Sequence, residues 1–170
     1  MAGRWGSLER WVLLAYRLPR EPSNPRVGVW RKLERLGVVR LGDGLVALPA
    51  DAWTREQLEW AAEEVVEAGG SAGVWLARPT TRAQERHLAS VMNDARREEY
   101  LALAESARAA LRTGTVDRAR TLRSLRAENH RIRRRDFFRP PEREQARQAV
   151  AVLASTVMAT DEGTGRKVAR

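Results

Sequence analysis

The sequence predicts an α+β protein, a ferredoxin-like β-α-β-β-α-β sandwich followed by a three-helix carboxy-terminal extension. Two observations lead to this prediction: short apolar runs alternate with helical patterns in the first half of the chain, and every later pattern is helical. We expect residues 10–79 to form the ferredoxin-like domain and residues 80–158 to form a helical extension packed on it. Residues 1–9 and 159–170 are expected to be a flexible leader and a flexible tail.

The first strand and helix are the part around which we expect the rest of the chain to pack. Trp11 to Tyr16 is a continuous apolar run, which is typical of a central strand buried on both faces. Ser23-Asn24-Pro25 predicts a helix start, and Gly37 follows the helix where a left-handed residue is favoured. The helix between them has one apolar face, formed by Val29, Trp30, Leu33 and Leu36.

The next four elements complete the predicted sandwich. Two short apolar runs, residues 38–41 and 45–48, flank Gly42-Asp43-Gly44, a turn sequence that indicates a hairpin. Thr54 and Gln57 have the spacing of a capping box, which predicts that the second helix begins at Thr54. A fourth strand is predicted over residues 74–77, just before a proline.

Three helices are predicted in the rest of the chain, over residues 81–112, 117–136 and 142–158. Thr113-Gly114-Thr115 separates the first two. Pro140-Pro141 ends the segment before the third, because proline interrupts the hydrogen bonds of a helix.

The positive charge is concentrated in the second half of the chain. Residues 1–80 carry 11 Lys and Arg against 10 Asp and Glu, so most of the net charge of +9 lies after them. A basic half predicts an anionic partner such as nucleic acid. The absence of cysteine excludes disulfides and thiolate metal sites and is typical of a cytoplasmic protein. No apolar stretch reaches the length of a membrane span, so we expect no membrane partner.

Several strings in the sequence resemble the amino-terminal domain of the chromate resistance protein ChrB. They are Trp11 to Tyr16 with Pro19, Pro25-Arg26-Val27, Val29-Trp30-Arg31, Asn93 to Tyr100 and Arg131 to Phe138, in this order. The resemblance implies a bacterial regulator, a chromate-responsive DNA-binding repressor of a chromate efflux gene. The longer ChrB proteins carry a further carboxy-terminal domain, so a sensing function supplied by another protein stays open.

The strand-helix part also resembles the ferredoxin-like domains of phenylacetate-catabolon repressors and of a CRISPR-associated nuclease. The nuclease relatives need an Asp after the first strand to hold a metal. This chain has Tyr16-Arg17-Leu18 at that place, so we do not expect a metal nuclease.

The sharpest candidate for DNA binding is an arginine row on the helix over residues 117–136. At about 100° per residue, one side of this helix carries Arg120, Arg123, Arg131 and Arg134. The opposite side is apolar, so the helix can pack by that stripe and present guanidinium groups outward. Guanidinium groups match phosphate oxygens and the acceptor edge of guanine, so we expect double-stranded DNA to bind here. The alternative is a solvated basic face in an arginine-rich protein.

A second group of polar residues has two interpretations. Arg96, Glu99 and Tyr100 lie together on a largely apolar helix and could form part of a chromate pocket, because arginine forks bind oxyanions. The alternative, which we favour, is a buried Arg-Glu pair and a tyrosine that fix this helix. Arg26 and Arg31 could join such a pocket or the DNA-binding face.

Other chemistries lack the residues that they need. His87 and His130 are far apart in sequence and have no spaced ligand partners, so no metal site is predicted. The sequence has no flavin or nicotinamide fingerprint and no credible catalytic triad, so we expect no cofactor and no enzymatic activity. The six tryptophans are expected in the core and at interfaces rather than as a platform for bases.

These observations together predict a cytoplasmic regulator of chromate resistance. We expect a homodimer that binds double-stranded DNA through the arginine row, with chromate as a candidate effector. The alternative is a non-DNA-binding accessory module that senses an oxyanion or binds a partner regulator.

Overall fold

The computed structural model describes residues 10–21 and 24–168, with the backbone alone for residues 160–168. Its elements follow the chain as β1 (Trp11–Arg17), α1 (Asn24–Leu36), β2 (Val39–Gly42), β3 (Leu45–Pro49), α2 (Ala52–Glu67), β4 (Ser71–Ala77), α3 (Arg82–Ala110), α4 (Thr115–Arg134) and α5 (Glu142–Val168). They belong to two compact units, one ending at Met92 and the other beginning at Asn93, so the boundary falls inside α3. The predicted leader, residues 1–9, lies outside the described residues.

Strand β1 is the centre of a four-stranded antiparallel sheet. It pairs with β3 on one side, where Leu13 lies opposite Ala47, and with β4 on the other, where Leu13 lies opposite Trp75. β2 pairs with β3, so the strands lie in the order β2-β3-β1-β4. The α+β class and the β-α-β-β-α-β order along the chain are confirmed, whereas the ferredoxin-like assignment stays a prediction.

The core of the first unit lies between this sheet and its two helices. α1 packs against α2, and α2 packs on β1 and β4. Val12 and Leu14 of β1 are fully buried on one face, because alternate residues of a strand point the same way. Leu33 of α1 and Leu58 of α2 are also fully buried. The apolar stripes of both helices therefore supply the other wall of this core.

The hairpin between β2 and β3 is fixed by a close approach to β1. Gly44 has φ 70°, a left-handed conformation that favours glycine. The Tyr16 amide donates to the Gly44 carbonyl at 2.7 Å, and a Cβ on Gly44 would lie 2.2 Å from the Tyr16 carbonyl oxygen. Only glycine fits this place without a shift of the backbone.

Helix α2 begins earlier than the sequence predicts. Its N-cap is Asp51, whose carboxylate accepts from the Thr54 amide at 2.7 Å, while the Thr54 hydroxyl oxygen accepts from the Asp51 amide at 2.9 Å. The prediction that Thr54 and Gln57 form the capping box is therefore wrong. The Thr54 hydroxyl is fully used by this box and by its bond to the Pro49 carbonyl at 2.7 Å.

The second unit is built from α4, α5 and the part of α3 after Met92. Its buried apolar residues are Tyr100, Leu103, Ala104, Ala107, Ala110, Leu122, Leu125, Ile132, Ala146, Val150 and Leu153. The sequence predicts that the last helix ends near residue 158 and that residues 159–170 form a flexible tail. Helix α5 continues to Val168, past the predicted end of the helix, while the flexibility of the tail stays a prediction. Residues 169–170 lie outside the described part.

None of the helices in the described ranges has both the length and the apolar character that crossing a lipid bilayer requires.

Gly44→Ala and Gly28→Ala are a matched pair of substitutions that tests the hairpin geometry. At Gly44 we expect the free energy of unfolding to fall by at least about 1–2 kcal/mol, because alanine is strained at positive φ. At Gly28, an exposed position in α1 where a Cβ would meet nothing within 4 Å, we expect a gain of about 0.5–1 kcal/mol from reduced chain entropy. Urea unfolding followed by circular dichroism measures both changes. Similar values for the two variants would contradict the close approach at Gly44.

Candidate nucleic-acid interface

Helix α4 places the predicted arginine row on its exposed side. Leu122, Leu125 and Ile132 are at most 8% exposed and form the buried side of the helix. The four arginines of the row are all exposed; they are Arg120, Arg123, Arg131 and Arg134. The amphipathic arrangement that the sequence indicates is therefore present in the structure.

Three of these four arginines have no partner in the part of the chain that the structure describes. Arg131 donates from Nε to Glu128 Oε2 at 2.9 Å, one helical turn away. Arg120, Arg123 and Arg134 make neither a hydrogen bond nor an ion pair with any described residue. Their guanidinium groups can thus bind an anion without first breaking a contact to any residue that the structure describes.

A second basic surface, which is not predicted from the sequence, lies where α4 is connected to α5. A concavity of about 370 Å³ around Pro140-Pro141 is lined by four arginines and one carboxylate, Arg133, Arg139, Arg143, Arg147 and Glu144. Hydrogen bonds from Arg147 and then Gln148 lower the pKa of Glu144 to about 2. Arg147 is therefore charge-compensated. The four-residue spacing of Arg139, Arg143 and Arg147 beside Pro140-Pro141 is the signal that could have indicated this surface.

Arg96 and Glu99 belong to a polar network that connects α3 with the residue after α4. Arg96 Nε and Glu99 Oε2 form an ion pair at 2.8 Å without hydrogen-bond geometry, and Arg135 Nη2 donates to Glu99 Oε1 at 2.7 Å. Arg96 and Arg135 are mostly buried, with 11% and 16% of their side chains exposed. Burial lowers the pKa of Arg96, and the charge of Glu99 opposes this effect. Glu99 thus serves two guanidinium groups at once.

Tyr100 and Asp136 form the second half of this network. The fully buried Tyr100 hydroxyl donates to Asp136 Oδ2 at 2.9 Å, and Arg143 Nη1 of α5 donates to the same oxygen at 3.3 Å. The Arg139 amide donates to the other carboxylate oxygen at 2.8 Å. Arg139 itself has a backbone φ of 55°. These contacts join α3, the α4–α5 connection and α5, which is the arrangement expected of a structural cluster.

Arg26 and Arg31 lie in the other unit, where they line a cleft of about 850 Å³. The cleft is formed by α1, the end of β1 and the β2–β3 hairpin; its lining includes Tyr16, Arg17, Arg26, Trp30, Arg31, Glu34, Arg40 and Asp43. Arg26 Nη2 donates to the Pro19 carbonyl at 2.9 Å. Arg17 and Arg40 are not predicted as site residues from the sequence, because only the sheet pairing brings them near α1.

With this geometry established, comparison with known proteins identifies a family. Residues 26–110, half of the chain, match the family described as "Protein ChrB, N-terminal". The chain belongs to this family. The resemblance drawn from the sequence is confirmed, and membership in the ChrB family associates the chain with chromate resistance. No curated protein and no solved structure is similar enough to the chain to count as a match.

The part of this ChrB-family chain that matches does not include every candidate residue. It includes α1 with Arg26 and Arg31 and α3 with Arg96, Glu99 and Tyr100. The arginine row on α4 begins after residue 110 and lies outside the matched range.

Tyr100→Phe tests the polar network of the ChrB-family chain through its pH dependence. Burial, with the hydrogen bond to Asp136, raises the pKa of Tyr100 above its ordinary value of 10.0. The tyrosine of the unfolded chain loses its proton near pH 10 while the folded one stays neutral, so stability is fully present below that pH and falls as pH rises above it. We expect Tyr100→Phe to weaken this alkaline loss, measured by urea unfolding between pH 8 and 11.

The control for this measurement is Tyr16→Phe, because Tyr16 is the other tyrosine of the chain and lies in the first unit. Burial also raises its pKa, although a nearby Arg40 opposes the shift. An alkaline loss that Tyr16→Phe removes and Tyr100→Phe leaves intact would contradict the role given to Tyr100.

Proposed function

We propose that this chain is a chromate-responsive transcriptional regulator, a repressor of a chromate resistance or efflux gene that binds double-stranded DNA through the arginine row of α4. One observation carries the proposal: Arg120, Arg123 and Arg134 lie on one exposed face of α4, and none of them has a partner among the described residues. Membership in the ChrB family supports the connection with chromate resistance.

The dimensions of the row suit a nucleic-acid backbone. Arg120 and Arg134 lie fourteen residues apart, which is about 21 Å along a helix at roughly 1.5 Å per residue. This length corresponds to several phosphates, since each strand of B-DNA carries one about every 3.4 Å. Each guanidinium can bind a phosphate by two parallel hydrogen bonds or read the acceptor edge of a guanine. A row of this length can therefore fix the protein on the duplex at several points.

The remaining features of the proposal follow from this function. We propose a cytoplasmic homodimer, because operators of two-fold symmetry favour a two-fold protein. We propose no enzymatic activity and no cofactor. For residues 10–79 we propose a ferredoxin-like domain, which is supported by the order of its elements and by three antiparallel strand pairings.

The second candidate function is an accessory module that binds a partner regulator instead of DNA. The observation that favours it is the exposed apolar surface of β4, where Trp75 and Leu76 are 63% and 53% exposed. β4 is an edge strand of the sheet, and an open strand edge can pair with another chain. Under this alternative the arginine row is a solvated face.

A triple substitution of Arg120, Arg123 and Arg134 by Gln tests the proposed DNA interface. Affinity for the DNA upstream of its own gene is measured at several salt concentrations. The log-affinity versus log-salt slope of the unchanged chain should approach about −4 if four phosphates are neutralised. We expect the triple variant to reduce the magnitude of this slope by about three, because each lost phosphate contact removes about one.

A matched control removes the same charge elsewhere. In Arg35→Gln, Arg55→Gln, Arg108→Gln the net charge also falls by three, but Arg55 and Arg108 are paired with carboxylates on their own helices. We expect this variant to keep most of the slope. Equal slopes for the two triple variants, or equal affinity of the unchanged chain for a scrambled duplex, would contradict a specific interface on α4.

Chromate response is a separate prediction with its own measurement. We expect sodium chromate to weaken binding to the upstream DNA, whereas sodium sulfate at the same ionic strength, an oxyanion of the same shape and charge, has a smaller effect. Equal effects of the two salts would show that only screening is involved and would remove chromate as the effector. DNA binding itself would then still be tested by the salt slopes.

A further inference from the structure

The cleft of the first unit combines basic and aromatic side chains in one concave surface. Trp30 of α1 and Tyr16 of β1 contribute aromatic walls, and Arg40 of the hairpin lies over the Trp30 ring, with its guanidinium carbon 5.8 Å from the ring centre. Arg40 is also paired with Asp43. The charge of Arg40 is thus compensated, and its contact helps to hold the indole ring in place.

The other three arginines of the cleft are not compensated by an ion pair with any described residue. Arg26 donates to a carbonyl, a contact that orients the guanidinium without neutralising it. Arg17 and Arg31 have no partner in the described ranges. With Asp43 already paired, Glu34 is the remaining carboxylate of the lining, so the cleft keeps an excess of positive charge. An anionic group is therefore the natural ligand.

The size of the cleft argues for a ligand larger than a bare oxyanion. Its volume is about 850 Å³. A tetrahedral oxyanion has only five heavy atoms. Its volume is a few times that of one water molecule, which occupies roughly 30 Å³ in the liquid, and is therefore much smaller than the cleft. Small-molecule sites of about 300–1,000 Å³ usually hold ligands with flat apolar parts and a few polar contacts. The aromatic walls supply such a surface, because every nucleobase can stack on an aromatic side chain.

We propose that this cleft binds a nucleoside phosphate, with the phosphate held by Arg17 and Arg31 and the base stacked against Trp30. The site is distinct from the arginine row on α4 and goes beyond the proposed regulatory function. Either assignment can fail without the other.

Isothermal titration calorimetry of the full chain, without DNA, tests the ligand class. The probes are adenosine 5′-monophosphate, adenosine, inorganic phosphate and sodium chromate at one ionic strength. We expect the nucleotide to bind at least tenfold more tightly than adenosine or phosphate alone. Chromate or phosphate binding as tightly as the nucleotide would overturn the proposal in favour of a simple anion site. Absence of nucleotide binding would also overturn it.

Two substitutions on α1 test whether the nucleotide binds in the cleft. Arg31→Gln should weaken nucleotide binding by about tenfold, the effect of losing one charge-assisted hydrogen bond. Arg35→Gln, one helical turn further on and outside the lining, is the matched control and should leave the affinity unchanged. Equal effects of the two variants would contradict the site.

A third variant tests the stacking. Trp30→Leu should remove most of the advantage of the nucleotide over phosphate, about tenfold, while phosphate affinity stays the same. Circular dichroism checks that the variant folds. If Trp30→Leu does not fold, Arg17→Gln at the exposed end of β1 repeats the test of the phosphate contact. Unchanged nucleotide affinity in a folded variant would overturn the proposed arrangement.

Discussion

Two carboxylates of the second unit, Glu99 and Asp136, fix the end of α4 on which the arginine row depends. Glu99 of α3 binds Arg135, the residue after α4, and Asp136 accepts from Tyr100 of the same α3 helix. The burial of Leu122, Leu125 and Ile132 contributes about 1.5–3 kcal/mol for each side chain, and a hydrogen bond to a charged group contributes a similar amount. The two contributions differ in kind: apolar packing is non-directional, whereas the polar contacts have a defined geometry and orient the end of α4.

Pairing, rather than composition, distinguishes the arginines that are available to a ligand. Arg147 is exposed but is already bound by Glu144, and Arg135 is enclosed by its network. Arg131 of the row is an intermediate case, because its pair with Glu128 lies on the surface of one helix. Such pairs contribute only about 0.3–0.5 kcal/mol, much less than a bidentate phosphate contact. Arg131 can therefore leave Glu128 and join Arg120, Arg123 and Arg134 at low cost.

Features that depend on residues close together in the chain can be predicted from the sequence. Features that depend on how the strands pair across the sheet cannot. The hairpin at Gly44 and the buried side of α4 follow from local patterns, and the structure contains both. The predicted start of α2 is wrong because two pairs of residues have the three-residue spacing of a capping box. The sequence pattern favours Thr54 and Gln57, whereas the structure uses Asp51 and Thr54. The cleft could not be predicted, since the antiparallel register of β1 and β3, together with the β2–β3 pairing, decides which hairpin residues face α1.

The arginine row of α4 and the cleft around Trp30 both carry arginines that no described carboxylate neutralises, but the two surfaces differ in shape. Closely spaced arginines that outnumber their carboxylates repel one another and reduce the stability of the folded chain, so folding alone does not explain them. On α4 the free guanidinium groups form a line on a convex helix, which only an extended polyanion can contact along its length. Around Trp30 they border a concave surface with aromatic walls, which an extended duplex cannot enter and a compact ligand can fill. The curvature of each surface therefore supports the ligand class that we propose for it, an extended polyanion for the row and a compact anion for the cleft.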